Sequence, residues 1–103
     1  MTTPAASNWQ TMAEKSAPEL MKQVNGVREK ITAEGALSAK TKTLMMMLVD
    51  ALQGHNDGVA GIANRARALG ATEAEIAETL AVAFLMGGMP ALVTGANAFR
   101  DKK

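Results

Sequence analysis

The segment ARALGATEAEIAE, residues 66–78, contains the end of one helix and the beginning of the next. Gly70 is typical of the residue that closes a helix, because glycine readily adopts the left-handed backbone conformation found there. Thr72 and Glu75 have the spacing of a capping box, in which each side chain accepts a hydrogen bond from a free backbone N–H. The segment therefore predicts two helices joined by a tight turn.

The chain before this junction carries similar start and stop signals. Residues 1–7 are small and polar, which predicts a flexible N-terminal arm ahead of a single domain over residues 8–103. Pro18 favours a first helical turn and Ser38 favours a cap, so three helices are predicted over about residues 8–15, 18–34 and 39–53. The second of these has an apolar stripe at helical spacing: Leu20, Val24, Val27 and Ile31.

The chain after Gln53 is punctuated in the same way. His55-Asn-Asp-Gly58 is a polar turn in which Asn56 or Asp57 is able to cap a fourth helix, with Val59, Ile62, Ala66 and Leu69 as its apolar stripe. The helix after Thr72 ends at Gly87-Gly88, and Pro90 opens a last helix. The inward residues of the helix after Thr72 are predicted to be Ile76, Leu80, Ala83 and Phe84.

The run from Leu44 to Val49 is apolar in every direction around a helix. A helix of this kind is normally buried on all sides. A domain of about 100 residues buries only about two-thirds of the surface of its unfolded chain, so one subunit can hardly surround such a helix. We therefore predict that neighbouring subunits cover it in a homo-oligomer.

The composition favours an all-α fold of five or six helices. Only 3% of residues are aromatic, whereas alanine, leucine, methionine, glutamate and lysine, which favour helices, are common. The formal charge of +1 and the single Trp9 make nucleic-acid binding a poor prediction. The chain has no cysteine, which excludes disulfides and thiolate chemistry.

The sequence predicts a soluble, cytoplasmic protein that does not interact with membranes. The longest run of large apolar residues, residues 44–49, is far shorter than the roughly 20 residues that span a bilayer. Residues 1–10 lack the basic start and apolar centre of a signal peptide.

Four stretches resemble the carboxymuconolactone decarboxylase-like family, which includes alkylhydroperoxidase D. They lie at residues 17–19, 36–42, 66–78 and 81–91, so the resemblance covers roughly residues 17–99. It implies an alkylhydroperoxidase D-like all-α subunit built around a helical hairpin. It also implies assembly into trimers or hexamers through those helices.

The resemblance also implies where the chemistry of the redox members would lie. Those members carry Cys-x-x-Cys-x-x-x-His between two helices, assisted by an earlier glutamate. Counted back from Gly70, these places match His55, Gly58, Ile62 and Thr43. A peroxidatic cycle needs one thiolate to attack the peroxide and a second thiol to resolve the sulfenate. The peroxidase mechanism therefore does not carry over to this chain.

The candidate catalytic residues are His55, Asp57 and Asp50. His55 is the single histidine and replaces the first cysteine, which by the resemblance lies at the mouth of the family's pocket. We hypothesise that it is a general acid or base, or donates a hydrogen bond to an anionic ligand. Asp57 and Asp50 are close in sequence and could orient the imidazole.

Structural roles compete with each of these hypotheses. His55 follows Gly54 at a helix end, where its ring could simply cover free carbonyl groups. One histidine and two aspartates make a poor metal site, so neither a metal nor a cofactor is expected. Arg65 and Arg67 fit either a carboxylate clamp or a solvated face, and the methionines at 45–47 fit adaptable packing.

Two functions remain open at this point. The first is binding or transformation of a small carbonyl or carboxylate compound at a subunit-interface pocket, with lyase or isomerase acid–base chemistry at His55. The second is a non-catalytic oligomeric helical module with a structural or interaction role. Neither the substrate nor the occurrence of a reaction follows from the residues.

Overall fold

A computed structural model describes residues 5–102 and shows an all-α chain, as predicted. Five helices are followed by a short 3-10 helix: α1 (Ala5–Ser16), α2 (Pro18–Thr32), α3 (Ala39–Leu52), α4 (Asn56–Ala68), α5 (Glu73–Gly95) and the 3-10 helix (Ala96–Phe99). Helix α1 begins at Ala5 rather than at Asn8, so it includes residues 5–7 of the predicted arm. Residues 1–4 of that arm lie outside the described residues.

The junction between α4 and α5 has the predicted local structure. Gly70 has a positive φ of 97°. The backbone N–H of Glu75 donates to Thr72 Oγ1 at 3.1 Å, and the backbone N–H of Thr72 donates to Glu75 Oε1 at 2.8 Å. This reciprocal pair is the predicted capping box.

The other predicted caps had different outcomes. Ser38 caps α3, accepting a hydrogen bond from the backbone N–H of Thr41 at 3.0 Å, as predicted. The prediction that Asn56 or Asp57 caps α4 is wrong, because both residues lie inside the first turn and His55 holds the cap position. Gly54, with a φ of 78°, reverses the chain, and α4 begins two residues later at Asn56. The turn is therefore shorter than predicted.

The core lies where α3, α4 and α5 pack together. Most of its buried members are alanines: the cluster contains Met47, Ala51, Val59, Ala63, Ala66, Ala71, Ile76, Leu80, Ala83, Ala91 and Ala98. Small residues let the helices approach closely. A Cβ atom at Gly95 would lie 2.6 Å from Leu80 Cδ2, and one at Gly87 would lie 2.5 Å from Leu52 Cδ2. A side chain at either position would therefore force the neighbouring leucine to move.

Helix α5 is interrupted where the sequence predicts its end. Gly88 has a non-helical backbone, with φ 73° and ψ −162°, and Pro90 follows it. The element therefore consists of two helical segments that meet at a kink, as predicted from Gly87-Gly88 and Pro90, and we keep the single label α5 for both. The segment Glu73–Phe99 is long and apolar enough to cross a membrane, although its runs of large apolar residues are short. The core helix of a soluble protein meets the same two criteria.

Several residues predicted to face inward are exposed on the subunit. Leu20, Val27 and Ile31 of α2 lie on the surface, and Met21 is the buried residue of that helix. Phe84, predicted to point inward, is 44% exposed. The reason is that α5 is apolar on several faces, whereas α3 and α4 cover only one of them. In the run Leu44–Val49, Met47 is fully buried and Met45 and Val49 are about half exposed.

Candidate functional site

A cavity of about 610 Å³ lies between the first two helices and the α3–α4 hairpin. Asp50, Gly58 and Ile62 line it from the hairpin side. Arg28 reaches it from α2 and Arg65 from α4. The positions matched by resemblance to the second cysteine and the histidine, Gly58 and Ile62, therefore lie on its wall.

A second cavity of about 570 Å³ adjoins the first. It is lined mainly by apolar side chains of α2 and α3: Ile31, Met45, Met46 and Val49. Thr32, Asp50 and Ile62 line both cavities. We call the two together the groove, with a polar end at Arg28 and Arg65 and an apolar end at Met45 and Met46.

The structure brings Asp50 and His55 together. Asp50 lies in the last turn of α3, and the reversal at Gly54 returns the chain so that His55 Nδ1 is 2.9 Å from Asp50 Oδ1. The Asp50 side chain is 21% exposed, and that of His55 is 56% exposed. Asp50 lines both cavities, whereas His55 lines neither. The carboxylate thus faces the groove and the imidazole faces solvent.

Asp57 lies apart from this pair. Its Oδ1 accepts a hydrogen bond from Arg100 at 3.1 Å, and Arg100 also donates to Asp101 at 3.0 Å. The Asp101 and Asp57 carboxylates raise the pKa of Arg100 above its ordinary value. The carboxylate of Asp57 therefore joins the C-terminal segment to α4. The His55 ring is hydrogen-bonded to Asp50 and not to Asp57.

The Asp50 carboxylate occupies the space beside the second thiol position. A Cβ atom at Gly58 would overlap Asp50 Oδ2 and lie 3.1 Å from Asp50 Cγ. A cysteine at position 58 is therefore incompatible with the present Asp50 conformation. Thr43, at the position of the family's glutamate, is buried, and its hydroxyl donates to the carbonyl of Ala39 at 2.8 Å. Its hydroxyl is used within α3.

The two arginines considered from the sequence have different surroundings. The Arg67 side chain is only 8% exposed and donates to both carboxylate oxygens of Glu73, at 2.7 and 2.9 Å. It also donates to Asn64 and to the carbonyl of Ala98, so it ties α4 to α5 and to the 3-10 helix. The hydrogen bonds from Arg67 to Glu73 hold the pKa of Glu73 below its ordinary value. Arg65, by contrast, lines the groove.

Arg28 is a groove residue that the sequence reasoning missed. Asn25, Arg28 and Thr32 follow one another at helical spacing on α2, and all three line the polar end. This polar stripe lies away from the apolar stripe of the same helix. Its presence is a signal that could have marked α2 as a cavity wall.

The methionine run divides between the groove and the core. Met45 and Met46 line the apolar end, and Met47 is buried among α3, α4 and α5. Within residues 5–102, the histidine, aspartate and glutamate side chains form no group of three suited to a metal ion.

Comparison with known proteins agrees with this architecture. A profile of the carboxymuconolactone decarboxylase family matches residues 18–101. A search of curated proteins gave no match. The crystal structure of a carboxymuconolactone decarboxylase family protein from Legionella pneumophila, in its apo form, has a TM-score of 0.84 and 30% sequence identity, covering 92% of this chain and 85% of that one. With non-thiol residues at the positions of the redox centre, this chain belongs to the carboxymuconolactone decarboxylase family.

Proposed function

We propose that the chain binds a small carbonyl or carboxylate compound in the groove and transfers a proton with the Asp50–His55 pair. The observation that carries this proposal is the 2.9 Å hydrogen bond between His55 Nδ1 and an Asp50 carboxylate on the groove wall. The sequence hypothesis made His55 the reacting group and an aspartate its orienter. The geometry favours the reverse order, with Asp50 as the proton acceptor and His55 as its partner.

The proposed chemistry needs one proton to be removed and one to be returned. Asp50 Oδ2 takes a proton from a carbon adjacent to the ligand's carbonyl group, and the electron pair of the broken C–H bond moves onto the carbonyl oxygen. With its ring in the Nδ1–H form, His55 donates to Asp50 Oδ1 and leaves Oδ2 free to accept. Where the ligand carries a C=C bond conjugated with this enolate, the electron pair returns from the oxygen to re-form the C=O bond, the C=C bond shifts, and the proton goes to the far carbon, which completes an isomerisation without a cofactor.

Thiol peroxidase chemistry has no place in this proposal. The family's redox mechanism depends on a thiolate and a resolving thiol, and the chain contains no cysteine. A carboxylate and an imidazole supply acid–base groups instead.

Deuterium exchange tests the proposal even while the product is unidentified. Short and medium-chain oxo acids and unsaturated lactone acids are incubated with the protein in D₂O, and loss of the signal of the acidic C–H is followed by NMR. General acid–base catalysis contributes about 10²- to 10⁴-fold, so Asp50→Asn is expected to lower the exchange rate by about 10² or more.

The matched control is Asp57→Asn, which removes the same charge at the carboxylate paired with Arg100. It should leave the exchange rate near that of the unchanged protein. Exchange that survives Asp50→Asn, or that falls equally in the two variants, would contradict the assignment of Asp50. Absence of exchange throughout the panel would favour the non-catalytic alternative.

The alternative is a non-catalytic oligomeric module, and one observation supports the oligomer that it requires. Leu85, Met86 and Val93 of α5 are 78%, 72% and 65% exposed, which is unusual for large apolar side chains grouped on one helix. We propose that these exposed side chains of α5 join the subunits of a homo-oligomer, a trimer or hexamer, in the cytoplasm. This assembly is compatible with either function, and a silent His55→Ala variant would favour the structural one.

A further inference from the structure

We propose that the groove selects amphipathic monocarboxylates, with Arg28 and Arg65 binding the carboxylate and the apolar end binding an aliphatic or aromatic tail. The inference deepens the proposed function, since it names the ligand class of the same groove. It rests on the groove's two ends and not on the proton transfer at Asp50.

The arginines of the chain fall into two classes. Arg67 and Arg100 are engaged by carboxylates at 2.7 and 3.1 Å. Arg28 and Arg65 line the groove, and no ion pair joins either of them to a carboxylate among residues 5–102. Two arginines from different helices therefore line one cavity without an ion-pair partner in the described part of the chain. Guanidinium groups bind carboxylates in a planar, two-pronged geometry.

Two carboxylates also line the polar end, Asp50 and Glu29. Asp50 is hydrogen-bonded to His55. Glu29 lies one position from Arg28 on α2 and forms no ion pair with either groove arginine among the described residues. These carboxylates therefore leave the two guanidinium groups available to an incoming anion. The half-buried Asn25 adds a neutral hydrogen-bonding group beside them.

The apolar end offers volume for a tail but no free cation among the described residues. Ile31, Met45, Met46 and Val49 form most of its wall. Lys42 is the cationic residue that lines it, and its Nζ donates to the carbonyls of Ile31 and Ala33 at 2.9 and 2.8 Å. The unbranched, flexible methionine side chains can adapt to tails of different shape.

This arrangement discriminates against a second charge on the ligand. A dicarboxylate bound at Arg28 and Arg65 would place its other carboxylate among Met45, Met46 and Val49. The lining cation there, Lys42, already donates to two backbone carbonyls, so the lost hydration would be only partly replaced. A monocarboxylate with an apolar tail avoids this cost. Because Asp50 lines both ends, the chain of such a ligand passes the proposed proton acceptor.

Calorimetric titration with octanoate tests the inference on the full-length protein. Octanamide keeps the tail without the charge, acetate keeps the charge without the tail, and suberate adds a second carboxylate. We expect octanoate to bind at least about tenfold more tightly than each of these, which corresponds to about 1.4 kcal/mol. Arg28→Gln and Arg65→Gln should each weaken octanoate binding about tenfold or more, because a hydrogen-bonded charge partner is removed.

The matched control is Arg100→Gln, which removes an arginine outside the groove and should leave octanoate affinity unchanged. Circular dichroism confirms that each variant remains folded. Equal affinity for octanoate and octanamide, equal affinity for octanoate and suberate, unchanged affinity in both groove variants, or no octanoate binding at all would overturn the inference.

The failure of this inference is distinguishable from failure of the proposed function. Octanoate has no carbonyl group besides its carboxylate, so its binding does not depend on catalysis. Arginine-dependent octanoate binding without deuterium exchange would support the ligand class and contradict the proton transfer. Exchange of oxo acids that is unaffected by Arg28→Gln and Arg65→Gln would overturn the inference and leave Asp50 in place.

Discussion

The Asp50 carboxylate lies in the space that a side chain at position 58 would occupy. A side chain at position 58 would overlap Asp50 Oδ2, so the absence of a Cβ atom there lets the carboxylate meet His55. The sequence alone identified His55 and both aspartates as candidates. It could not choose between Asp50 and Asp57, because that choice depends on Arg100, which lies 43 residues away from Asp57 along the chain.

We therefore predict that Gly58→Ala displaces Asp50. The overlap costs at most about 1–3 kcal/mol, and the better helix propensity of alanine offsets part of it, but the Asp50 carboxylate must move and the Asp50–His55 hydrogen bond should be lost. Chemical denaturation measures the first effect and the NMR signals of His55 measure the second. Gly26→Ala is the matched control, since a Cβ atom there meets nothing within 4 Å. In the helix interior it should stabilise the protein by about 0.5–1 kcal/mol. Unchanged NMR signals of His55 in Gly58→Ala would contradict the described position of the Asp50 carboxylate.

At the scale of the elements, local signals predicted the helix boundaries well where a side chain or glycine acts on its own backbone. Ser38, Thr72 and Gly70 act in this way, and Gly88 interrupts α5 where the Gly87-Gly88-Met-Pro90 stretch indicated a break. The inward faces of α2 and α5 were less predictable, because an apolar stripe does not specify which neighbour covers it. Arg28 was missed for the same reason, since its role depends on α4 supplying the opposite wall.

The start of α5 makes stability depend on pH. The backbone N–H of Thr72 and the ammonium group of Lys40, 2.9 Å away, hold the pKa of Glu75 below its ordinary value of 4.5. A lowered pKa in the folded state stabilises the protein at pH above 4.5, and this contribution is lost as the pH falls through the folded-state pKa. Glu75→Gln should therefore be less stable than the unchanged protein at pH 7. The difference should shrink as the pH falls below about 4.5.

Urea denaturation of both proteins at pH 7 and at pH 3 measures this effect. Glutamine can still accept the hydrogen bond from Thr72, so the comparison isolates the charge of Glu75. A stability difference that grows towards pH 3 would contradict the sign of the effect.

At the scale of the whole molecule, the subunit exposes more apolar surface than its own helices can cover. Leu85 and Met86 belong to α5, whereas Leu20 and Ile31 belong to α2. The sequence predicts uncovered apolar surface at Leu44–Val49, whereas the most exposed large apolar side chains lie on α5 and α2. Which faces are exposed depends on how three helices pack, and no local pattern contains that information.

We predict that Leu85→Glu dissociates the oligomer, because it places a charge in an apolar interface without a partner. Light scattering should give a multiple of the 10.8 kDa subunit mass for the unchanged protein and a smaller mass for the variant. Ala74→Glu adds the same charge at an exposed position of the first turn of α5 and should leave the mass unchanged. A compact monomer at micromolar concentration for the unchanged protein would contradict the assembly.

An NMR determination of the His55 tautomer tests directly whether Asp50 and His55 form a working pair at the groove. Each subunit has one histidine, so the ring nitrogen signals need no assignment among several residues. We predict that the neutral ring carries its proton on Nδ1, donated to Asp50, and that Asp50→Ala abolishes this preference while Asp57→Ala preserves it. A neutral ring protonated on Nε2 in the unchanged protein, or the same tautomer in all three proteins, would contradict it.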